Sequence, residues 1–305
     1  MDPLYPVYAR NPMTGQRHIN FVPSWIGRVL GAASFAYLDF TIPTVCREHR
    51  SAELVNRIAN RLLPRVWSDP ATVQARRNIR VIQDDKTMNA FSAPGTLNIG
   101  IFTGIIKEID AARDEDFPAD LRAIPREDKV AGVLAHEIAH SQGDHFGRKL
   151  SLECLLVLPL IFMMQWAEGL RFAVCDTAYT ILEYGKTRHE SLRPAITAAQ
   201  LALSYSGSLL KSLLTVTIRY LRNRVISQNL EYEADKYGMH LLQRAGYNPR
   251  ALLWLTHFFA DKQGLTANAT LSPYWELQQA LSSHPIGPDR IAAAENTLRT
   301  LPVPV

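Results

Sequence analysis

A chain of 305 residues with 47% apolar side chains can bury one large core or two small ones, which excludes the disordered and fibrous classes. Its 33 Lys and Arg against 29 Asp and Glu leave a formal charge of +4, too mild and too scattered to indicate a nucleic-acid partner. The cysteines, Cys46, Cys154 and Cys175, are odd in number and include no CxxC pair, so the expectation is buried, reduced thiols rather than a disulfide framework or a cysteine zinc module.

Residues 1–46 read as an N-terminal extension punctuated by Pro and Gly. No apolar h-region or Arg-rich amphipathic helix is visible there, so no cleavable address is read. Its apolar patch, "WIGRVLGAASFAYLDF", is short and broken by Arg28. From Ser51 the period becomes helical: Leu54, Val55, Ile58, Ala59, Leu62 and Leu63 share a face, and Pro64 ends it. Between residues 78 and 102 the segments "NIRVIQDD", "MNAFSA" and "TLNIGIF", with a turn at Pro94 and Gly95, predict a small antiparallel sheet. A charged insertion over 107–124 precedes a helix predicted over 126–148, with Pro125 in its first turn and Glu127 and Asp128 at its positive end.

Two apolar runs follow. Residues 154–167 are uncharged but contain Pro159, and 194–210 are uncharged but contain Ser, Thr, Gln and Gly. A span needs about 20 apolar residues. These runs therefore read as buried core helices or as a monotopic or re-entrant patch, ahead of a true span, within an apolar insert over 150–218. Further on, "SQNLEYEADKYGMHLLQRAGYNP" is helical and ends at Gly246 and Pro249. The layout is mainly α with a small antiparallel sheet, an α+β single domain over 47–300.

The chemistry concentrates in "HEIAH". His136 and His140 are four apart, so on a helix both imidazoles face one ion, while Glu137 between them sits beside that ion and can take a proton from a water. In a chain with nine histidines the pattern arises by accident roughly 0.01 times. Val130, Val133, Leu134 and Ile138 supply an apolar face that would bury the helix. A catalytic zinc needs a third protein ligand. Glu231 is the choice, with Asp235 four residues later on the same helical face to accept the N–H of a ligand histidine. Glu233, between them, is expected to be solvated.

The ordered set "HEIAHSQGDH", "EYEADKYG" and "SHPIGPDRI" resembles the gluzincin metallopeptidases of family 48, which include prenyl-protein-processing and bacterial envelope proteases. The resemblance implies a zincin-like catalytic domain with one zinc ion on His136, His140 and Glu231, Asp235 supporting a ligand, and hydrolysis of protein or peptide substrates. It also implies that residues 89–102 form a substrate-edge strand beside the zinc helix, with Asn89, Ala90, Phe91 and Gly95 as substrate contacts. His284 and Arg290 match a family segment whose histidine either caps the metal or steadies the reaction's oxyanion; the alternative is a loop histidine with Arg290 in a structural salt bridge. His145 is expected to support the ligands or to pack.

Within the family, "NPMTGQRHINFVP", the apolar patch after the zinc helix and "SSHPIGPDRI" resemble the branch found in the mitochondrial inner membrane. That branch implies a role in membrane protein quality control or stress processing. "HFGRK" lacks the acidic residue often found after the family's second histidine, here His145. A membrane surface and a second copy of the chain stay open as partners. The contrasting readings are a zinc-stabilised, chaperone-like scaffold with its fourth metal position closed, and another branch of the same family.

Overall fold

The computed structural model describes residues 8–41, 49–69, 77–95, 97–163, 226–262 and 288–302, with a few single positions between them. Contacts divide the chain into one unit of residues 1–151 and 227–305 and a second of 152–226. The site lies in the first.

That unit begins with a hairpin, β1 (Tyr8–Arg10) and β2 (Arg17–Ile19), paired antiparallel with Ala9 opposite His18. Helix α1 (Ser24–Thr41) follows, then α2 (Arg50–Leu62), started by the His49 imidazole accepting the Ser51 N–H at 3.2 Å. The predicted stripe of α2 is the buried one: Leu54, Val55, Ile58, Ala59 and Leu62 all enter the core. Pro64 opens a single 3₁₀ turn after it.

Strands β3 (Asn78–Ile82), β4 (Ala90–Ala93) and β5 (Asn98–Phe102) form a sheet in the order β3-β5-β4. The α+β class is as expected, but the sheet is mixed rather than wholly antiparallel. β4 and β5 are joined by a tight turn, with Gly95 at φ 91° and Leu97 at φ 55°, and so must run antiparallel. β5, buried from Ile99 to Phe102, then inserts between its predecessors, which leaves β3 parallel to it with Ile79 opposite Ile99. A parallel pair needs a crossover of a dozen or so residues. The loop after β3 together with β4 itself provides it.

Helix α3 (Thr103–Ala111) leads toward α4 (Arg126–Gln142), the element on which the core is built. From Lys129 to Ala139 every residue of α4 is buried, because it packs on α6 (Gln228–Arg244), α7 (Arg250–Lys262), α2 and β4 at once. Trp254 of α7 stacks with Phe117 and with Phe258, and the Lys129 ammonium lies over its ring at 4.6 Å while pairing with Asp114 at 3.0 Å. Pro125 is the cap before α4 rather than its first turn. The helix stops at Gln142 and not at 148, since Asp144 adopts φ 47° after Gly143, and a new helix α5 (His145–Leu152) sets off in another direction. The unit closes with α8 (Pro288–Thr300), packed on α6 and α7.

In the second unit the described residues 153–157 form a π turn, and Leu155, Leu156, Leu158, Phe162, Met163 and Trp166 are exposed. The run at 194–210 lies almost wholly outside the described residues. Among the described residues no helix is long and apolar enough to cross a membrane.

Gly31 shows how closely α1 sits on the sheet. A Cβ there would run into the carbonyl oxygen of Pro94, in the turn after β4. Alanine normally gains up to about 1 kcal/mol over glycine within a helix. Here the clash is with backbone, which cannot swing away, and overpacking of this kind costs about 1–3 kcal/mol. Gly31→Ala should therefore lower the urea midpoint, whereas Ala32→Ser on the exposed face of the same helix should leave it within error.

Candidate metal centre

Two helices build the site. α4 supplies His136, Glu137 and His140, and α6, lying along it, supplies Glu231 and Asp235; all five are buried or nearly so. The spacing of four does what it predicts, placing the two imidazoles edge to face with centroids 4.6 Å apart and their Nε2 atoms 3.0 Å apart. The Glu231 carboxylate meets them from the facing helix, Oε2 at 3.4 Å from His136 Nε2 and Oε1 at 3.2 Å from His140 Nε2. One ligand atom from each of the three residues lies within 4.8 Å of the other two.

The opposite ring nitrogens are already engaged. His136 Nδ1 lies 2.9 Å from Asp235 Oδ1, and His140 Nδ1 lies 2.8 Å from His145 Nδ1. With each Nδ1 committed to a neighbour, the Nε2 atoms are the ones presented to a cation. Asp235 is in turn gripped by Arg290, whose Nε and Nη2 reach its two oxygens at 2.6 and 2.9 Å while Nη1 reaches Glu231 Oε2 at 3.0 Å. Arg290 is only 3% exposed, so it braces both carboxylates from behind.

Charge argues for a cation. Among the described residues three buried carboxylates, Glu137, Glu231 and Asp235, face one buried guanidinium, that of Arg290, so with neutral imidazoles these groups carry an excess of two negative charges that a divalent ion would balance. The protein alone feels this surplus. Burial disfavours a charged His136, yet hydrogen bonds to Asp235 and Glu231 overcome it and raise its pKa to about 10. Burial prevails at His140, lowered to about 3. Two imidazoles and a carboxylate are a zinc donor set. The residues present therefore fit that ion.

A cleft opens beside Glu137, His140 and Glu231, lined on its far side by Phe91, Ser92, Ala93 and Gly95 of the edge strand and its turn. Of the substrate contacts expected from sequence, Phe91 and Gly95 lie there. Asn89 and Ala90 do not: they line a separate small cavity with His136, Glu137 and Arg290, at and just before the start of the strand. Ser92 and Ala93, not singled out from sequence, line the cleft as well. His284 lies outside the described residues.

Glu233 corrects an expectation. It is not solvated: its side chain is 16% exposed and bonds to Arg148 at 2.7 Å and His145 at 3.3 Å. Burial would raise its carboxyl, but His145 and Arg148 lower it to about 2. His145 also moves from where an uninterrupted helix would carry it. The break at Gly143 and Asp144 turns its ring back onto His140, 4.7 Å between centroids. A period of 3.6 extended through 148 could not show this.

Removing Asp235 should expose how much the bracing matters. Asp235→Ala takes from Arg290 the carboxylate that two of its nitrogens grip and from His136 Nδ1 the carboxylate 2.9 Å away, a broken buried pair of the kind that costs about 3–5 kcal/mol. Urea denaturation of the metal-free protein should show that loss, and Asp235→Asn, which keeps an acceptor, should lose less.

A family model described as peptidase family M48 matches residues 50–298, most of the chain. No curated protein matches it.

Proposed function

Because the chain belongs to peptidase family M48, whose members are zinc metallopeptidases, we propose that it is an endopeptidase that cuts exposed or unfolded protein segments with one zinc ion held by His136, His140 and Glu231. The observation that carries this reading is the convergence of two Nε2 atoms and one carboxylate on a single point, with both Nδ1 atoms already engaged. When bound, zinc supplies Lewis acidity that brings the pKa of water toward ~7 and polarises a carbonyl.

The rest falls to side chains and backbone. Glu137, lining the cleft next to His140, takes the proton from the attacking water and returns it to the departing amine. The edge strand at Phe91–Ala93 pairs with an extended peptide and lays its scissile bond along the cleft. A compact fold cannot offer such a strand, which selects unfolded or exposed segments. Arg290 works through Asp235 and Glu231 and lines the small cavity rather than the cleft.

The reading extends to protein quality control or stress processing at the mitochondrial inner membrane. It draws on the sequence resemblance to that branch and on exposed apolar side chains: Trp25, Val29, Tyr37 and Phe40 of α1 and, in the second unit, Phe162, Met163 and Trp166. Such residues suit insertion at a membrane interface without a span. Fluorescence imaging of the tagged full-length protein tests the location, and a diffuse signal would refute it.

Glu137→Gln keeps the shape of the site but cannot accept a proton. It should retain one zinc per chain by metal analysis while hydrolysis of an unfolded protein substrate falls by about 10²–10⁴. Equal cleavage by wild type and variant would exclude this mechanism. Zinc-loaded wild type that never cleaves would favour a scaffold instead.

A further inference from the structure

One polar cluster next to the metal centre has no part in the hydrolytic scheme. It joins the first turn of the described chain to a metal-facing histidine. Asn11 follows β1 and is 2% exposed. Its Oδ1 accepts the Met13 N–H at 2.8 Å and the Thr14 N–H at 3.3 Å, and its backbone N–H donates to the Gln16 carbonyl at 2.9 Å, so it organises the turn between β1 and β2. The amide Nδ2 is left over, and it donates to Glu233 Oε1 on α6.

That oxygen is a hub. It also accepts from Arg148 Nη1 at 2.7 Å and from His145 Nε2 at 3.3 Å. With His145 donating through Nε2, its Nδ1 is the acceptor for the Nδ1–H of His140, which leaves His140 Nε2 as the lone pair aimed at Glu231 and His136. The chain Asn11, Glu233, His145, His140 thus sets the tautomer and the orientation of one ligand, as Asp235 does directly for the other. We propose that Asn11 is a positioning residue of the metal centre, acting on His140 through Glu233 and His145, and that the N-terminal hairpin is a working part of the site.

Two further observations place the hairpin there. Met13, two residues on, packs with Ala139 of α4, next to His140 in sequence, and with Ala234 of α6, between Glu233 and Asp235. At Gly143 a Cβ would meet both the His145 ring and the Met13 methyl, so the break in the zinc helix is shaped to admit both. The residue type matters as well. An amide offers an acceptor to the turn and a donor to the carboxylate at the same time. Aspartate would keep the first, lose the second and set like charges together.

The inference rests on the zinc reading of the site, and the experiment separates the two. Zinc affinity is measured by chelator competition on the full chain for wild type, Asn11→Asp, His145→Ala and the double variant, together with the visible absorption of the cobalt-substituted proteins. Outer partners of metal ligands are typically worth roughly 10–100-fold in affinity. Asn11→Asp should weaken zinc by about tenfold or more and change the cobalt spectrum, and should add little once His145 is absent, since both act along one path. Should circular dichroism show that Asn11→Asp does not fold, Asn11→Ser, whose hydroxyl serves the turn but is too short for Glu233, is read in the same way. Wild-type affinity in a folded variant, or losses that simply add, would overturn the positioning role. A wild type that binds no zinc would instead overturn the metal reading itself.

Discussion

Asp235 lies 2.9 Å from His136 Nδ1 on one side and accepts from two nitrogens of Arg290 on the other, and both contacts are buried. A lone carboxylate in such a place would be costly to ionise; the guanidinium overcomes the cost and holds it below the usual carboxylate range. What this secures is direction. An imidazole whose Nδ1 is fixed can offer only Nε2, and the ring cannot rotate to lose it. The contact between α4 and α6, the burial of Arg290 on α8 and the placing of Glu231 all serve that one close contact.

The two histidines are supported by different means. His136 has a carboxylate in direct contact, braced by an arginine; His140 has another imidazole, with a carboxylate and an arginine one step further out. The pattern repeats at greater length because Glu231, the acidic residue of α6 that reaches His140, meets its Nε2 at 3.2 Å and leaves its Nδ1 to another partner. The turn at Gly143 and Asp144 brings His145 back to fill that gap. A longer relay has more joints to hold, and the buried hairpin at Asn11 and Met13 holds them.

The cleft shows the same economy. β4 lies at the edge of the sheet because β5 inserts between it and β3, and α4 contacts β4 from the side on which Glu137 and His140 face the cleft. An edge strand is normally a liability for aggregation. In the proposed reading of the site it is the rail for an extended substrate.

Much of the centre was legible in the sequence, because its primary signals are local. HExxH sets two imidazoles on one helical face by spacing alone, and Glu231 and Asp235 share a face for the same reason. The buried stripe of α2 followed from its period. What the sequence did not reveal was whatever depends on distant segments meeting: the parallel pairing of β3 with β5, the return of His145 onto His140, the burial of Glu233 and its bond to Asn11. Periodicity describes which residues share a face of one element. It contains nothing about the element lying opposite, and that partner decides whether a carboxylate at i+2 is solvated or becomes the hub of a buried network.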